Sequence, residues 1–229
     1  MQKLSFLFVF LFSVIRMQAQ VPTGPSIAWQ RCYGGSENDF FRDALLTTDG
    51  GFLTSLYTVS YDGDLEGVES PFGWVIKFDS VFNIQWQKHY GYGAMECAIE
   101  PLKLVEVEDA YFFAGPGGYE ACPGAQGSND FQLMKTDSNG EVLWQRNYGS
   151  PGYETFNDMI PTQDGGFLIT GQSSGVGGDI PLNYTADGLT HDAIVIKTDS
   201  AGNIIWLKIL GGTGDDNVMG DALEIERGY

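Results

Sequence analysis

Four tryptophans, Trp29, Trp86, Trp144 and Trp206, recur at nearly even intervals, each inside a variant of one phrase. KFDSVFNIQWQKHYG (77–91), KTDSNGEVLWQRNYG (135–149) and KTDSAGNIIWLKILG (197–211) are three full copies, and AWQRCYG (28–34) matches the tail of a fourth. A unit of this length cannot bury an apolar face alone, so a nearly fixed period points to stacked repeats. The parts around each Trp recur as well. Asp49-Gly50-Gly51-Phe52 follows Trp29 at the same distance as Asp164-Gly165-Gly166-Phe167 follows Trp144. Glu226-Arg227-Gly228-Tyr229 falls at a like offset after Trp206. The second unit departs from the pattern with Asp109-Ala110-Tyr111-Phe112.

One unit reads as four strands. DALLTTD (43–49) runs into an Asp-Gly-Gly hairpin turn and then FLTSLYTV (52–59). GWVIKF (73–78) is a third strand closed by Lys77, as Lys135 and Lys197 close theirs. An Asp-Ser turn leads into NIQWQKHY (83–90), where Ile84, Trp86, Lys88 and Tyr90 share one face by the alternation of a strand. Four antiparallel strands recurring with each Trp describe a β-propeller blade. The expectation is an all-β, propeller-like fold with full blades at about 37–91, 92–149 and 150–211. A lone outer strand at 26–35 and a partial blade at 212–229 flank them, after a short linker at 20–25. Trp29, Trp86, Trp144 and Trp206 are expected to pack the seams between blades. Such a ring is incomplete, and the chain is read as the N-terminal portion of a longer propeller.

The motifs WQxxYGG, DGGF, S-x-D-G-D and K-x-D-S-x-G-x-x-x-W resemble those of secreted β-propeller repeat proteins of the Bacteroidota. The resemblance covers about residues 26–229; it implies the fold and export, and says little about a ligand. The turn is also similar to the tryptophan-docking motif of quinoprotein dehydrogenases, which has one more residue between its Asp and Gly.

Residues 1–19 read as a secretory signal peptide. Lys3 precedes an unbroken apolar run, LSFLFVFLFSVI (4–15), and Ala19 suits the cleavage position. The run is too short for a membrane span, and no other run is longer. Removing Lys3 and Arg16 leaves 10 basic and 30 acidic side chains, a net charge of −20. That surface repels nucleic acid and anionic lipid and attracts Ca²⁺ or a cationic partner. Export permits a disulfide among Cys32, Cys97 and Cys122, and the expected pair is Cys97–Cys122. Cys97 enters the first strand of its blade, and Cys122 leaves the second strand at the same end of the sheet.

Two acidic constellations stand out. Asp43, Glu100 and Asp158 share one offset from their Trp, and Asp221 lies one position further from Trp206, which places them on the innermost strands at one channel mouth. They are candidates for a carboxylate pair doing acid–base chemistry, or for ion pairs with the repeated cations Arg31, Lys77, Lys88, Lys135, Arg146, Lys197 and Lys208. The ion-pair reading is preferred, because a catalytic site is more often made by residues that break a repeat. Asp62, Asp64 and Glu66 alternate in the Gly-rich loop SYDGDLEG (60–67), a candidate calcium loop without an EF-hand's later ligands. His89 and His191 have no partner at zinc-ligand spacing, and no nucleotide-binding or nucleophile-elbow motif occurs. The function expected is a secreted, non-enzymatic binding or scaffold module for an extracellular protein or glycan. The competing function is a secreted glycan-active enzyme using the channel-mouth carboxylates.

Overall fold

The structure, a computed structural model, describes residues 27, 29–69, 72–91, 98–118, 122, 124–127, 129–184 and 190–223. The signal segment, the linker and Glu226–Tyr229 lie outside them. Contacts divide the chain into Met1–Cys32 and Tyr33–Tyr229, and every strand belongs to the second unit.

Twelve strands form three four-stranded antiparallel sheets, each a simple meander. The first blade is β1 (Asp39–Leu46), β2 (Phe52–Thr58), β3 (Gly73–Phe78) and β4 (Ile84–Tyr90). The second is β5 (Lys103–Val107), β6 (Ala110–Gly117), β7 (Asp130–Asp137) and β8 (Val142–Tyr148). The third is β9 (Glu154–Pro161), β10 (Phe167–Ser173), β11 (Asp192–Thr198) and β12 (Ile204–Leu210). No α-helix occurs among the described residues; there is one short 3₁₀ turn at Gly63–Leu65. The first strands are neighbours, with β5 touching both β1 and β9, so the blades are arranged as in a propeller. Three blades do not close the ring. Residues 29–35 and 212–223, read from sequence within a lone outer strand and a partial further blade, form no strand. A strand needs a partner ladder, and no sheet among the described residues has a fifth strand to offer one.

The cores lie between blades rather than inside them. Leu53, Val75 and Tyr90 of the first blade meet Leu104, Phe113 and Met134 of the second. Phe112, Leu133 and Tyr148 of the second meet Phe156, Phe167 and Ile196 of the third. The seam has a repeated lock. In each Asp-Ser turn the Asp side chain caps the loop: Asp137 Oδ1 accepts the N–H groups of Asn139 and Glu141, and Asp199 Oδ1 accepts those of Ala201 and Asn203. The turn then passes through a positive φ, +78° at Gly140 and +77° at Gly202. The carbonyls of these glycines accept hydrogen bonds from the preceding blade's Tyr90 and Tyr148 hydroxyls, at 2.8 and 2.6 Å. The preceding Trp lies across the same glycine, so that a Cβ on Gly140 would stand 2.9 Å from Trp86 and one on Gly202 3.0 Å from Trp144. Trp86 Nε1 also donates to Ser138 O at 2.9 Å.

Trp86 and Trp144 do pack against the inter-blade clusters, as expected, but they are not the fully buried filling of the seam. Trp86, Trp144 and Trp206 are only half-buried, and Trp29 is 42% exposed. Trp86, Trp144 and Trp206 ride on the outermost strands, where an indole can cover a turn with one face and leave the other in water. The buried seam residue is the tyrosine four positions on.

The repeated lysines have a different role. Lys77 and Lys197, though 1% and 2% exposed, fold back across the sheet to the Asp-Gly-Gly turn. Lys77 Nζ donates to Asp49 Oδ2 at 2.7 Å, Phe78 O at 3.0 Å and Gln85 Oε1 at 3.0 Å. Lys197 Nζ donates to Asp164 Oδ1 at 2.8 Å and Thr198 O at 2.7 Å. The second glycine of each turn makes room: a Cβ on Gly51 or Gly166 would lie 2.7 Å from the ammonium and 2.1 or 1.9 Å from a backbone carbonyl oxygen. Hydrogen bonds from the lysine, the turn threonine and the turn backbone hold the Asp49 and Asp164 carboxyls down to about 2.

The middle blade breaks this device. Register puts Phe112 opposite Lys135, as Leu53 stands opposite Lys77, so Ala110 occupies the place of Gly51 and Gly166. Its methyl group fills the volume where the other two ammonium groups sit. The longer turn Thr47–Gly51 becomes the tight turn Val107–Ala110, closed by pairing of Val107 with Ala110. Lys135 is accordingly half-exposed, with its ammonium 5.3 Å from the centre of the Phe112 ring.

The clamp makes a quantitative claim. Gly166→Ala forces the Lys197 ammonium away from Asp164 and crowds Thr198 O; Asp164 is half-exposed, but the ammonium left behind is buried, at a cost of about 3 kcal/mol. Urea unfolding should register a loss of about 2–4 kcal/mol for Gly166→Ala, and less than about 1 kcal/mol for Ala110→Gly.

Candidate functional site

The inner-strand acids converge on a lysine that belongs to no repeat. Asp43 and Asp158 lie within β1 and β9, each beside a β-bulge, rather than at the start of the strand. The bulge inserts one extra residue and turns the next side chain toward the neighbouring blade. Asp43 Oδ2 accepts the Leu104 N–H at 2.8 Å, and Asp158 Oδ2 accepts the Ala222 N–H at 2.8 Å. Asp158 is 4% exposed and pairs with Lys103 Nζ at 2.9 Å. Glu100 pairs with Arg42, the extra residue of the first bulge. Asp221 is exposed and outside any strand. Burial works to lower the Lys103 ammonium; the hydrogen bond and charge of Asp158, with the charges of Asp43 and Asp221, outweigh it and raise it.

The acids are thus engaged by the backbone, by Arg42 and by Lys103, and not by the repeated cations. The reason is position. Lys88, Arg146 and Lys208 ride on the fourth strands, at the far edge of each sheet. Lys88 pairs with Glu141 of the next blade's turn, while Arg146 and Lys208 lie over their own tryptophans at 5.3 and 5.2 Å.

At the opposite end of the strands, a second set of carboxylates ties loop to loop. Asp39, Glu154 and Asp216 share one offset from the repeat tryptophans Trp29, Trp144 and Trp206, and each accepts an N–H from four positions earlier. That common offset was a legible signal that sequence reasoning passed over. Asp62 Oδ1 accepts the Ser36 N–H at 2.7 Å, and Asp64 Oδ2 accepts the Gly34 N–H at 3.1 Å. The hydrogen bond from Ser36 holds the Asp62 carboxyl below its ordinary value. Asp179 repeats the role of Asp64, accepting from Gly149 N at 3.4 Å. The candidate calcium residues Asp62 and Asp64 therefore serve as N–H acceptors, and Glu66 is exposed. Among the described residues no three His, Cys, Asp or Glu side chains are grouped as metal ligands.

Under the Gly149–Ser150 loop two of these acids are fully buried. Asp130 and Glu154 are both 0% exposed, and a Cβ on Gly149 would lie 2.3 Å from Asp130 Oδ1 and 2.8 Å from Glu154 Oε2. Glu154 Oε1 accepts from the Ser150 and Ser173 hydroxyls, both at 2.6 Å. Asp130 Oδ2 accepts the Gln126 N–H, while Oδ1 meets no N–H or O–H donor. A proton on Glu154 supplies that donor. Burial raises both carboxyls, Glu154 to about 7, with the neighbouring charges of Asp130 and Asp179 adding to the effect. The pair is sealed from solvent.

The sign of the resulting pH dependence is fixed. Glu154 holds a proton in the fold up to about 7 but releases it near 4.5 when unfolded, so stability falls as pH rises between those values. Chemical denaturation across that interval should show a decline on the order of 3 kcal/mol, flattened in Glu154→Gln.

Of the cysteines, Cys32 is an exposed free thiol, Cys122 is buried, and Cys97 lies outside the described residues. The expected Cys97–Cys122 bridge is checked by thiol counting on denatured, unreduced protein. One reactive thiol is the expected result, and three would exclude the bridge.

No family model matches the chain, and no curated protein does. Among solved structures it is similar to a protein of unknown function from Bacteroides caccae. The two are 12% identical with a TM-score of 0.38, over 76% of this chain and 62% of the other. The matched region thus spans less than two thirds of that protein. No helix among the described residues is long and apolar enough to cross a membrane.

Proposed function

We propose that the chain is a secreted, non-enzymatic binding module that presents the acidic loop face of its blades to a cationic extracellular partner. One observation carries this reading. In the first and third blades the loop before the first strand is tied to the loop joining second to third strands by Asp62, Asp64 and Asp179, while Asp39 and Asp216 cap their own loops. The loops are held in place before any partner arrives, which lowers the ordering cost of association. Their excess charge, within a net −18, attracts cations over long range. Of the inner-strand acids, the natural candidates for hydrolysis, Asp43, Glu100 and Asp158 are engaged by the Leu104 N–H, Arg42 and Lys103, and Asp221 is exposed outside any strand. A retaining or inverting hydrolase would need two carboxyls free to face a glycosidic bond.

Expression of the full gene product followed by N-terminal sequencing should return a chain starting at Gln20 in the medium or periplasm. Binding to an immobilised basic protein should weaken steeply with added salt and fall at least fivefold in Asp64→Asn with Asp179→Asn. A panel of neutral and acidic polysaccharides should release no reducing ends. If a hydrolytic activity appeared and Asp43→Asn with Asp158→Asn abolished it at unchanged melting temperature, the inner strands would be a catalytic site and the binding reading would fail.

A further inference from the structure

A cavity lies where the middle blade departs from the lysine clamp of its neighbours. A pocket of about 470 Å³ lies between the middle and third blades, on the hairpin-turn face and away from the acidic loops. Its wall takes Lys135, Phe112 and Leu143 from the middle blade, with Glu108 and Asp109 on the turn and Ser200 from the third blade. The volume falls within the range of small-ligand sites.

The two flanking blades show what belongs beside such a lysine. Asp49 and Asp164 bring a carboxylate within 2.7–2.8 Å of the ammonium, and the turn backbone folds over it. In the middle blade Ala110 blocks that path, and no ion pair to Lys135 forms within 4.0 Å among the described residues. Lys135 stands over the Phe112 ring and lines the open pocket instead. An ammonium on an aromatic wall, in the place where its repeats hold a carboxylate, is a site for a carboxylate brought from outside.

Charge then narrows the ligand. Glu108, Asp109 and Asp137 line the same cavity, so acids outnumber the single base. Asp137 Oδ1 is engaged by its own turn, through the Asn139 and Glu141 N–H groups. Glu108 and Asp109 are exposed on the tight turn, and Glu108 is held there at φ +53°, a conformation that disfavours any side chain. A simple anion would meet Lys135 at the cost of two facing carboxylates. A molecule carrying both charges satisfies both. We propose that this pocket binds a small zwitterion of the α-amino acid type, its carboxylate on Lys135, its ammonium on Glu108 and Asp109, and its side chain against Phe112 and Leu143.

Titration calorimetry on the purified protein tests it, with L-alanine, L-glutamate, L-lysine and L-phenylalanine as probes. Propionate and n-butylamine serve as single-charge controls. At least one amino acid should bind saturably and at least tenfold more tightly than either control. Lys135→Met should weaken it at least tenfold with the melting temperature unchanged, and Glu108→Gln with Asp109→Asn should bring the amino acid down to the level of propionate. Replacing Val107–Ala110 by the sequence Thr-Thr-Asp-Gly-Gly supplies an internal carboxylate; it should abolish binding and raise the melting temperature. Absence of saturable binding by every amino acid would overturn the proposal. So would affinity that survives Lys135→Met or the grafted turn, or propionate binding as tightly as the amino acids. These outcomes are independent of the acidic loop face, which lies at the other end of the strands.

Discussion

A tyrosine hydroxyl reaching the carbonyl of a glycine in the next blade is the contact on which the array depends. The middle strands are buried along nearly their whole length, as β3, β6 and β10 show, so a single blade in water would leave much apolar surface unsatisfied. Stacking removes that face only if successive sheets meet at a fixed distance and twist. Tyr90 and Tyr148 fix both, because a hydroxyl on a buried ring can reach only one carbonyl. The bond itself is worth about 1 kcal/mol, yet leaving it unmade inside the seam would cost more. The left-handed glycine, the Asp cap and the Trp lid all serve to present that carbonyl.

The buried lysines work the other way. An ammonium with almost no exposure loses most of its hydration, and the bonds at Lys77 return it through a carboxylate and a backbone carbonyl held at hydrogen-bond distance. The arrangement adds little net stability over an apolar side chain and a great deal of specificity. It pins the first hairpin turn to the end of the third strand, so that no register shift of β2 against β3 keeps the ammonium paired.

Much of this was legible in residue order. The β3 strand runs from Gly73 to Phe78 as the apolar run implies, and the Asp-Gly-Gly and Asp-Ser turns lie where their dihedral needs place them. What could not be read was any fact that depends on which edge of a sheet a strand occupies. The tryptophans repeat most visibly, and for that reason looked like the buried core, but an outer-edge strand half-exposes them. The partners of Asp43, Glu100 and Asp158 were assigned to repeated cations, when the nearer cations, Arg42 and Lys103, follow no period. A bulge decides that geometry, and a bulge leaves only one extra residue as its trace. The lack of a clamp at Lys135 was visible as the missing Asp-Gly-Gly, but its meaning needed the register that sets Ala110 in the place of a glycine.

The clamp also limits the order in which such a blade can change. Three positions, the turn aspartate, the second glycine and the lysine, are useful only together. Exchanging the glycine first would strand a charged group inside the sheet; losing the aspartate first would leave that charge without a counterion. Remodelling the turn so that the lysine swings outward is the step that makes the other two exchanges harmless. The middle blade shows the combination such a step leaves workable: a shorter turn, an alanine, and a lysine turned out of the clamp. A residue retained under those terms is free to be recruited, which is why one irregular copy in a periodic array is where a new property can begin without disturbing its neighbours.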